Sequence, residues 1–197
     1  MPQNMAGNAN TSEGAPSFFS VIQKRRSIRK YSSKEVEPEK VARLAEAALR
    51  APSSRGANPW EFVVVTDRNL LGELSGCKPH GAAFLKEAPL GIVVCADSKK
   101  SDVWVEDASI AATFILLAAE CMGLGACWIQ VRGRMYDERL TAGQKVAQIL
   151  GLPEGLEVEA VVAVGYPDES KAPHQAEGLL WERLHKDKYG KPYKTEP

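Results

Sequence analysis

Metal-ligating residues are scarce in this chain and poorly spaced for that purpose. It holds three histidines and four cysteines in 197 residues. Cys77, Cys95, Cys121 and Cys127 form no C-x-x-C pair, and His80, His174 and His185 stand at no zinc spacing from them or from one another. A structural zinc and a disulfide framework are therefore not expected. Three of the thiols lie in apolar runs, where cysteine acts as a small buried hydrophobe, and reduced thiols fit a cytoplasmic protein. Net charge is also lacking: 25 Lys and Arg balance 25 Asp and Glu. Binding nucleic acid or an acidic membrane needs a basic face, so neither partner is expected. No apolar run is long enough to span a bilayer. The longest, residues 108–119, is interrupted by Ser109 and Thr113 and ends at Glu120, short of the roughly 20 residues a spanning helix requires. The first sixteen residues have no apolar h-region after a basic start, so they read as a flexible tail over 1–16 and not as a secretory signal. Residues 17–197 remain as one domain, able to bury a sizeable core.

The apolar residues that are present fall into clear periods. Ser17 is a candidate N-cap for a short helix over 17–25, with Phe18, Val21 and Ile22 on one face. Pro38 opens a second helix at its first turn, where the missing amide costs nothing. Val41, Leu44, Ala45, Ala48 and Leu49 then follow the i, i+3, i+4, i+7 pattern as far as Arg50, and Pro52 ends it. Apolar, largely β-branched runs predict strands over 61–66, 90–96, 126–131 and 158–164. A long helix over 102–122 is apolar nearly all round from Ala108, so the core or a second subunit must bury most of its sides. Gly123-Leu124-Gly125 stops it, and Gly151 caps a further helix over 141–150. Few strands and many helices predict an α+β fold with helices layered on a four- or five-stranded sheet.

Two segments carry the chemistry. Arg25-Arg26-Ser27-Ile28-Arg29-Lys30-Tyr31 places four cations and a hydroxyl within seven residues. Guanidinium groups bind phosphate through parallel charge-assisted hydrogen bonds, so the cluster can clamp a phosphate. Ala51-Pro52-Ser53-Ser54-Arg55-Gly56-Ala57-Asn58-Pro59-Trp60 is a loop of small, turn-forming residues that lets backbone approach a flat ligand. Together they point to a phosphorylated cofactor. Each also has an ordinary reading: a solvated basic helix end, and a plain helix-to-strand connection. Likewise Gly123-Leu124-Gly125 reads as a helix cap, Trp60 and Trp128 as core or interface aromatics, and Cys127 as a buried inert thiol.

The order of these pieces resembles the nitroreductase family of FMN-dependent oxidoreductases. Arg25–Tyr31, then a helix, then Ala-Pro-Ser-Ser and Pro-Trp-Glu-Phe-Val-Val-Val carry the likeness. Asp107-Ala108-Ser109-Ile110-Ala111-Ala112, Gly123-Leu124-Gly125-Ala126-Cys127-Trp128-Ile129-Gln130 and Gly165-Tyr166-Pro167 continue it. The resemblance implies a mostly antiparallel sheet of four to five strands flanked by helices, with the long buried helix at a homodimer interface. FMN would lie between the subunits, and NADH or NADPH would serve as co-substrate. Arg25, Arg26, Ser27 and Arg29 would hold the phosphate, ribityl chain and pyrimidine edge. Pro52, Ser53, Ser54, Arg55 and Gly56 of the other subunit would line the ring, with the backbone of Ile129 and Gln130 near the flavin N5. A cation near N1 would favour the reduced flavin, and no side-chain acid or base is required, so no catalytic residue is assigned.

The chain departs from the family pattern at Gly56, at Asn58 and at Trp128-Ile129-Gln130-Val131. Lys171 and His174 are the basic residues just beyond Pro167, and neither is assigned. The implied function is electron transfer from NAD(P)H through FMN to a nitroaromatic, quinone or similar small acceptor by a ping-pong mechanism, with residues 77–86 and 131–139 covering the pocket. The alternatives are a flavin-binding carrier or sensor without catalysis, and a relative that dehalogenates its substrate or fragments flavin.

Overall fold

The computed structural model describes residues 16–193, so the tail predicted over 1–16 lies almost wholly outside the described residues. In chain order the elements are α1 (Phe18–Lys24), α2 (Pro38–Leu49), β1 (Trp60–Val65), α3 (Arg68–Ser75), β2 (Leu90–Asp97), α4 (Trp104–Cys121), β3 (Gly125–Gln130), α5 (Ala142–Leu150) and β4 (Leu156–Gly165). Local sequence sets their ends. The Ser17 hydroxyl accepts the Ser20 N–H, Pro38 opens α2, and Thr141 with Gln144 forms a reciprocal capping box on α5. Gly151 ends α5 with a left-handed φ of 66°.

The strands form one antiparallel sheet in the order β1-β2-β4-β3. Both faces are covered, which is why β2 and β4 read as continuous apolar runs. Ile92, Val94, Val162 and Val164 meet Leu44 and Ala48 of α2 and Ala108, Ala112, Ile115 and Ala119 of α4. Val93, Val161, Ala163 and Ile129 meet Leu71 and Leu74 of α3 and Val146 of α5. Each fully buried Leu, Ile or Val contributes about 1.5–3 kcal/mol. The alanines of α4 let it lie close on the sheet, while Ile110 and Phe114 on its other side stay exposed in the single chain.

Helix α3 has no counterpart in the sequence reading. Asp67 caps it, accepting the N–H groups of Asn69 and Leu70, and Leu71 and Leu74 are wholly buried. Gly72 in its middle and its eight-residue length kept its period from showing. Beyond the four strands, residues 27–31 make two isolated bridges, Ser27 parallel with Ala126 of β3 and Tyr31 antiparallel with Pro167 past β4. Among the described residues no helix is long and apolar enough to cross a membrane.

Candidate functional site

The basic segment leaves α1 in extended form and lies along the open edge of β3. The Arg25 N–H closes α1 on Val21 O at 2.9 Å, and the Ile28 N–H donates to Ala126 O at 3.1 Å. The approach is close. A Cβ at Gly125 would stand 2.8 Å from the Ile28 side chain, so glycine is needed at the first position of β3. On its other side the segment is pinned by the exit of β4, where the Ser32 N–H donates to Tyr166 O and the Asp168 N–H to Lys30 O, both at 2.9 Å. Beneath it the buried Tyr31 hydroxyl donates to Ile28 O at 2.5 Å, with Ala163 O at 3.3 Å. Burial pushes that phenol far above its ordinary range.

Extended backbone sends alternate side chains to opposite sides, and this divides the four predicted residues. Arg25, Ser27 and Arg29 gather around Cys127, while the Arg26 guanidinium turns away and donates to the Ala172 carbonyl. Lys171 joins the first group: its ammonium donates to Ser27 O at 2.5 Å and lies 3.1 Å from Glu169. Glu169 accepts the Arg29 N–H at 2.6 Å, and this bond is the main reason its carboxyl sits below the usual range. Among the described residues neither the Arg25 nor the Arg29 guanidinium has a carboxylate partner. Burial pushes the Cys127 thiol up despite these neighbouring cations, which is the state of an inert thiol.

Further along the same edge the backbone supplies the outward polar groups. Ala126 O faces the basic segment, so the alternation of an antiparallel ladder turns Trp128 and Gln130 outward as well. The backbone of Ile129 turns inward to β4, and its side chain is buried. Gln130 O accepts from Lys78 Nζ at 2.7 Å. The Gln130 side chain is held by Trp128 Nε1 at 2.9 Å and Arg132 O at 3.0 Å, which leaves its outward N–H open. Four residues of strand, about 13 Å, separate the Ala126 end of the edge from the Gln130 end.

The small-residue loop is rigid despite its composition. Arg55, Gly56 and Asn58 take positive φ values of 54°, 65° and 44°. The Ser53 hydroxyl donates to Asn58 Oδ1 at 2.6 Å and accepts the Asn58 N–H at 2.9 Å. Asp107, buried in α4, accepts the Ser54 N–H at 2.8 Å and the Ser101 hydroxyl at 2.9 Å. Pro52, Arg55 and Gly56 are exposed, with Ser53 and Ser54 partly so. Among the described residues no hydrogen bond or ion pair joins this loop to the basic segment of the same chain.

Sequence reasoning passed over three supports of the site. Asp107 was visible as an acid at the head of an apolar helix, and Lys171 as a base beyond the last strand. Nothing in the sequence marked Lys78.

Comparison with known proteins gives this arrangement its class. The chain belongs to the Nitroreductase family, whose profile matches residues 22–78 and 76–166, and it is an oxidoreductase. An FMN-dependent nitroreductase structure from Clostridium difficile R20291 is 47% identical with a TM-score of 0.86, covering 87% of this chain and 99% of that one. A relative from Archaeoglobus fulgidus, provisionally named NADH dehydrogenase/NAD(P)H nitroreductase, is 40% identical over 174 residues, 86% of this chain and 97% of its own. The NADPH:FMN oxidoreductase of Vibrio harveyi, solved with NAD+, is more distant, at 25% identity and a TM-score of 0.71 over 87% of this chain and 77% of that one.

Proposed function

We propose that this protein is an FMN-dependent oxidoreductase that takes electrons from NADH or NADPH and passes them to a small acceptor, a nitroaromatic or quinone, in two half-reactions at one site. The observation that carries this reading is the β3 edge, with unpaired guanidinium groups at one end and outward amides at the other. This donor set fits a phosphate joined to a flat heterocycle. Arg25, Ser27 and Arg29 would hold the phosphate end. Arg26 would act indirectly, by fixing residue 172. The N–H groups of Trp128 and Gln130 would face the ring.

When bound, FMN supplies the two-electron chemistry, accepting at N5 and carrying negative charge near N1 once reduced. The chain's own work is to bind, orient and shield. Its cations favour the added negative charge, and its edge amides offer fixed donors that need no rearrangement during reaction.

The flavin site is built in a homodimer on this reading. Pro52, Ser53, Ser54, Arg55 and Gly56 would reach the ring from the second subunit, in keeping with their separation from the basic segment within one chain. Exposed apolar surface supports that assembly: Phe18 and Phe19 on α1 are 61% and 69% exposed, and Ile110, Phe114, Leu179, Leu180, Trp181 and Leu184 are open as well. So many open aromatic and aliphatic side chains are what a second subunit would cover.

The visible absorption spectrum, recorded before and after anaerobic addition of NADH or NADPH, tests the reading. A flavin spectrum that bleaches, with parallel initial-rate lines in turnover, is the expected result. Flavin without bleaching makes the protein a carrier or sensor, and no flavin after soaking with FMN overturns the reading.

A further inference from the structure

The two segments expected to cover the pocket meet at a groove of about 400 Å³, lined by Lys78, Pro79, His80, Gly81, Arg134 and Met135. Left-handed turns at Gly81, φ 78°, and Gly133, φ 69°, fold the segments over it. Lys78 stands where the groove meets the β3 edge, through its bond to Gln130 O. No Asp or Glu lines the groove, and among the described residues neither Lys78 nor Arg134 has an ion-pair partner. Burial holds the Lys78 ammonium below its ordinary range, and the Arg134 charge adds to the effect. Two cations that feel each other across a groove without a counter-ion favour an anion between them. Pro79 and Met135 supply apolar wall, so the groove combines a hydrophobic surface with a few convergent polar groups, as ligand sites do.

We propose that this groove is an anion subsite beside the flavin, holding the acidic group of a ligand whose ring exchanges electrons there. The inference rests on the flavin reading above. Two ligands of that reaction can bring such a group: a carboxylated acceptor, or the dinucleotide through its pyrophosphate.

Arg134→Gln separates them, because it removes one cation and spares the Lys78–Gln130 bond. Flavin content and NADH bleaching of the wild type are read first, so a failure of the parent reading shows there. Calorimetric titration of 4-nitrobenzoate and of neutral 4-nitrobenzamide then reads the subsite without turnover. The wild type is expected to bind the acid more tightly than the amide, and Arg134→Gln to weaken the acid about tenfold, the effect of one charge-assisted contact, with the amide unchanged. If the acid is unaffected while the NADH concentration needed for bleaching rises about tenfold, the subsite stands and its anion is the pyrophosphate. Equal affinity for acid and amide, together with unchanged NADH dependence in Arg134→Gln, overturns the proposal.

Discussion

Asp107 and Ser54 are bonded across 53 positions of sequence, through a 2.8 Å contact from the Ser54 N–H to a carboxylate that is 3% exposed. That contact ties the loop proposed to line the ring to the helix whose open side is proposed to face a second subunit. The second carboxylate oxygen takes the Ser101 hydroxyl, so one residue fixes two loops.

Asp107→Ala leaves the Ser54 N–H without its acceptor, a loss of about 1–3 kcal/mol. For a chain of this size each kcal/mol lowers Tm by about 2–4 °C. Asp107→Asn keeps a carbonyl acceptor and should lose much less. Thermal melts of the two variants check this, and equal melting temperatures would remove Asp107 from the account of the loop.

The division of the basic segment predicts unlike effects from like substitutions. Arg25→Ala and Arg29→Ala should each raise the Kd for FMN about tenfold to a hundredfold, the effect of a lost charge-assisted bond of about 1.5–3 kcal/mol. Arg26→Ala should change FMN affinity less and instead loosen residues 171–173, whose carbonyl partner it is. Fluorescence titration with FMN and hydrogen exchange over those residues distinguish the two.

Gly125→Ala should displace the basic segment, because its Cβ would meet Ile28 Cβ and Cγ2 at 2.8 Å. Overpacking of this kind costs about 1–3 kcal/mol, and it would act on stability and flavin retention together. Ile28→Ala added to it should restore only part, since Ile28 Cβ remains. Full recovery in chemical denaturation would show that the clash lies elsewhere.

Acid stability offers a test away from the site. Glu37 accepts the Tyr166 hydroxyl at 2.7 and 2.9 Å and lies 2.9 Å from Lys34. These bonds, Tyr166 first, bring its carboxyl down from 4.5 to about 2. A depressed carboxylate stabilises the fold fully above its unfolded value, and that contribution fades as pH falls from 4.5 toward 2. Tyr166→Phe should therefore be destabilised relative to wild type at pH 7, with the gap closing through that window. A gap constant from pH 7 to pH 2 would mean that the loss of the hydroxyl's other bond, from Lys40 Nζ at 2.8 Å, and not the ionised carboxylate, accounts for it.

If the proposed dimer forms through α1, paired Phe18→Asp and Phe19→Asp substitutions should convert it to monomers and release FMN with it. Sedimentation equilibrium with absorbance at flavin wavelengths reads both at once. Monomers that retain flavin would place the whole site within one chain.

Much of this was legible in the residues. Strands β2 and β4 declared themselves because burial on both faces demands unbroken Val, Ile and Ala runs, and α2 because one buried stripe of Leu44 and Ala48 repeats at helical spacing. The over-apolar α4 was read as needing a second burying surface, and Ile110 and Phe114 do stand open on it. The site was harder to read. Arg26 was grouped with Arg25 and Arg29 because they are neighbours in sequence, whereas the segment is extended and alternation turns Arg26 to the other side. Ile129 is inward and Trp128 outward for the same reason, a parity fixed by one bond from Ile28 to Ala126 that no local pattern records. The Lys78 contact with Gln130 joins positions 52 apart with no periodicity between them.

Residues 166–172 staple the basic segment at five points: Tyr166 O to Ser32, the Asp168 N–H to Lys30, Glu169 to Arg29, Lys171 to Ser27, and Ala172 O to Arg26. The arginines leave the ribosome well before residues 166–172, yet their arrangement depends on that later segment. On the proposed reading, the phosphate clamp is incomplete until residues 166–172 fold back onto the basic segment. FMN bound at the proposed site would stabilise these joined segments in proportion to its affinity.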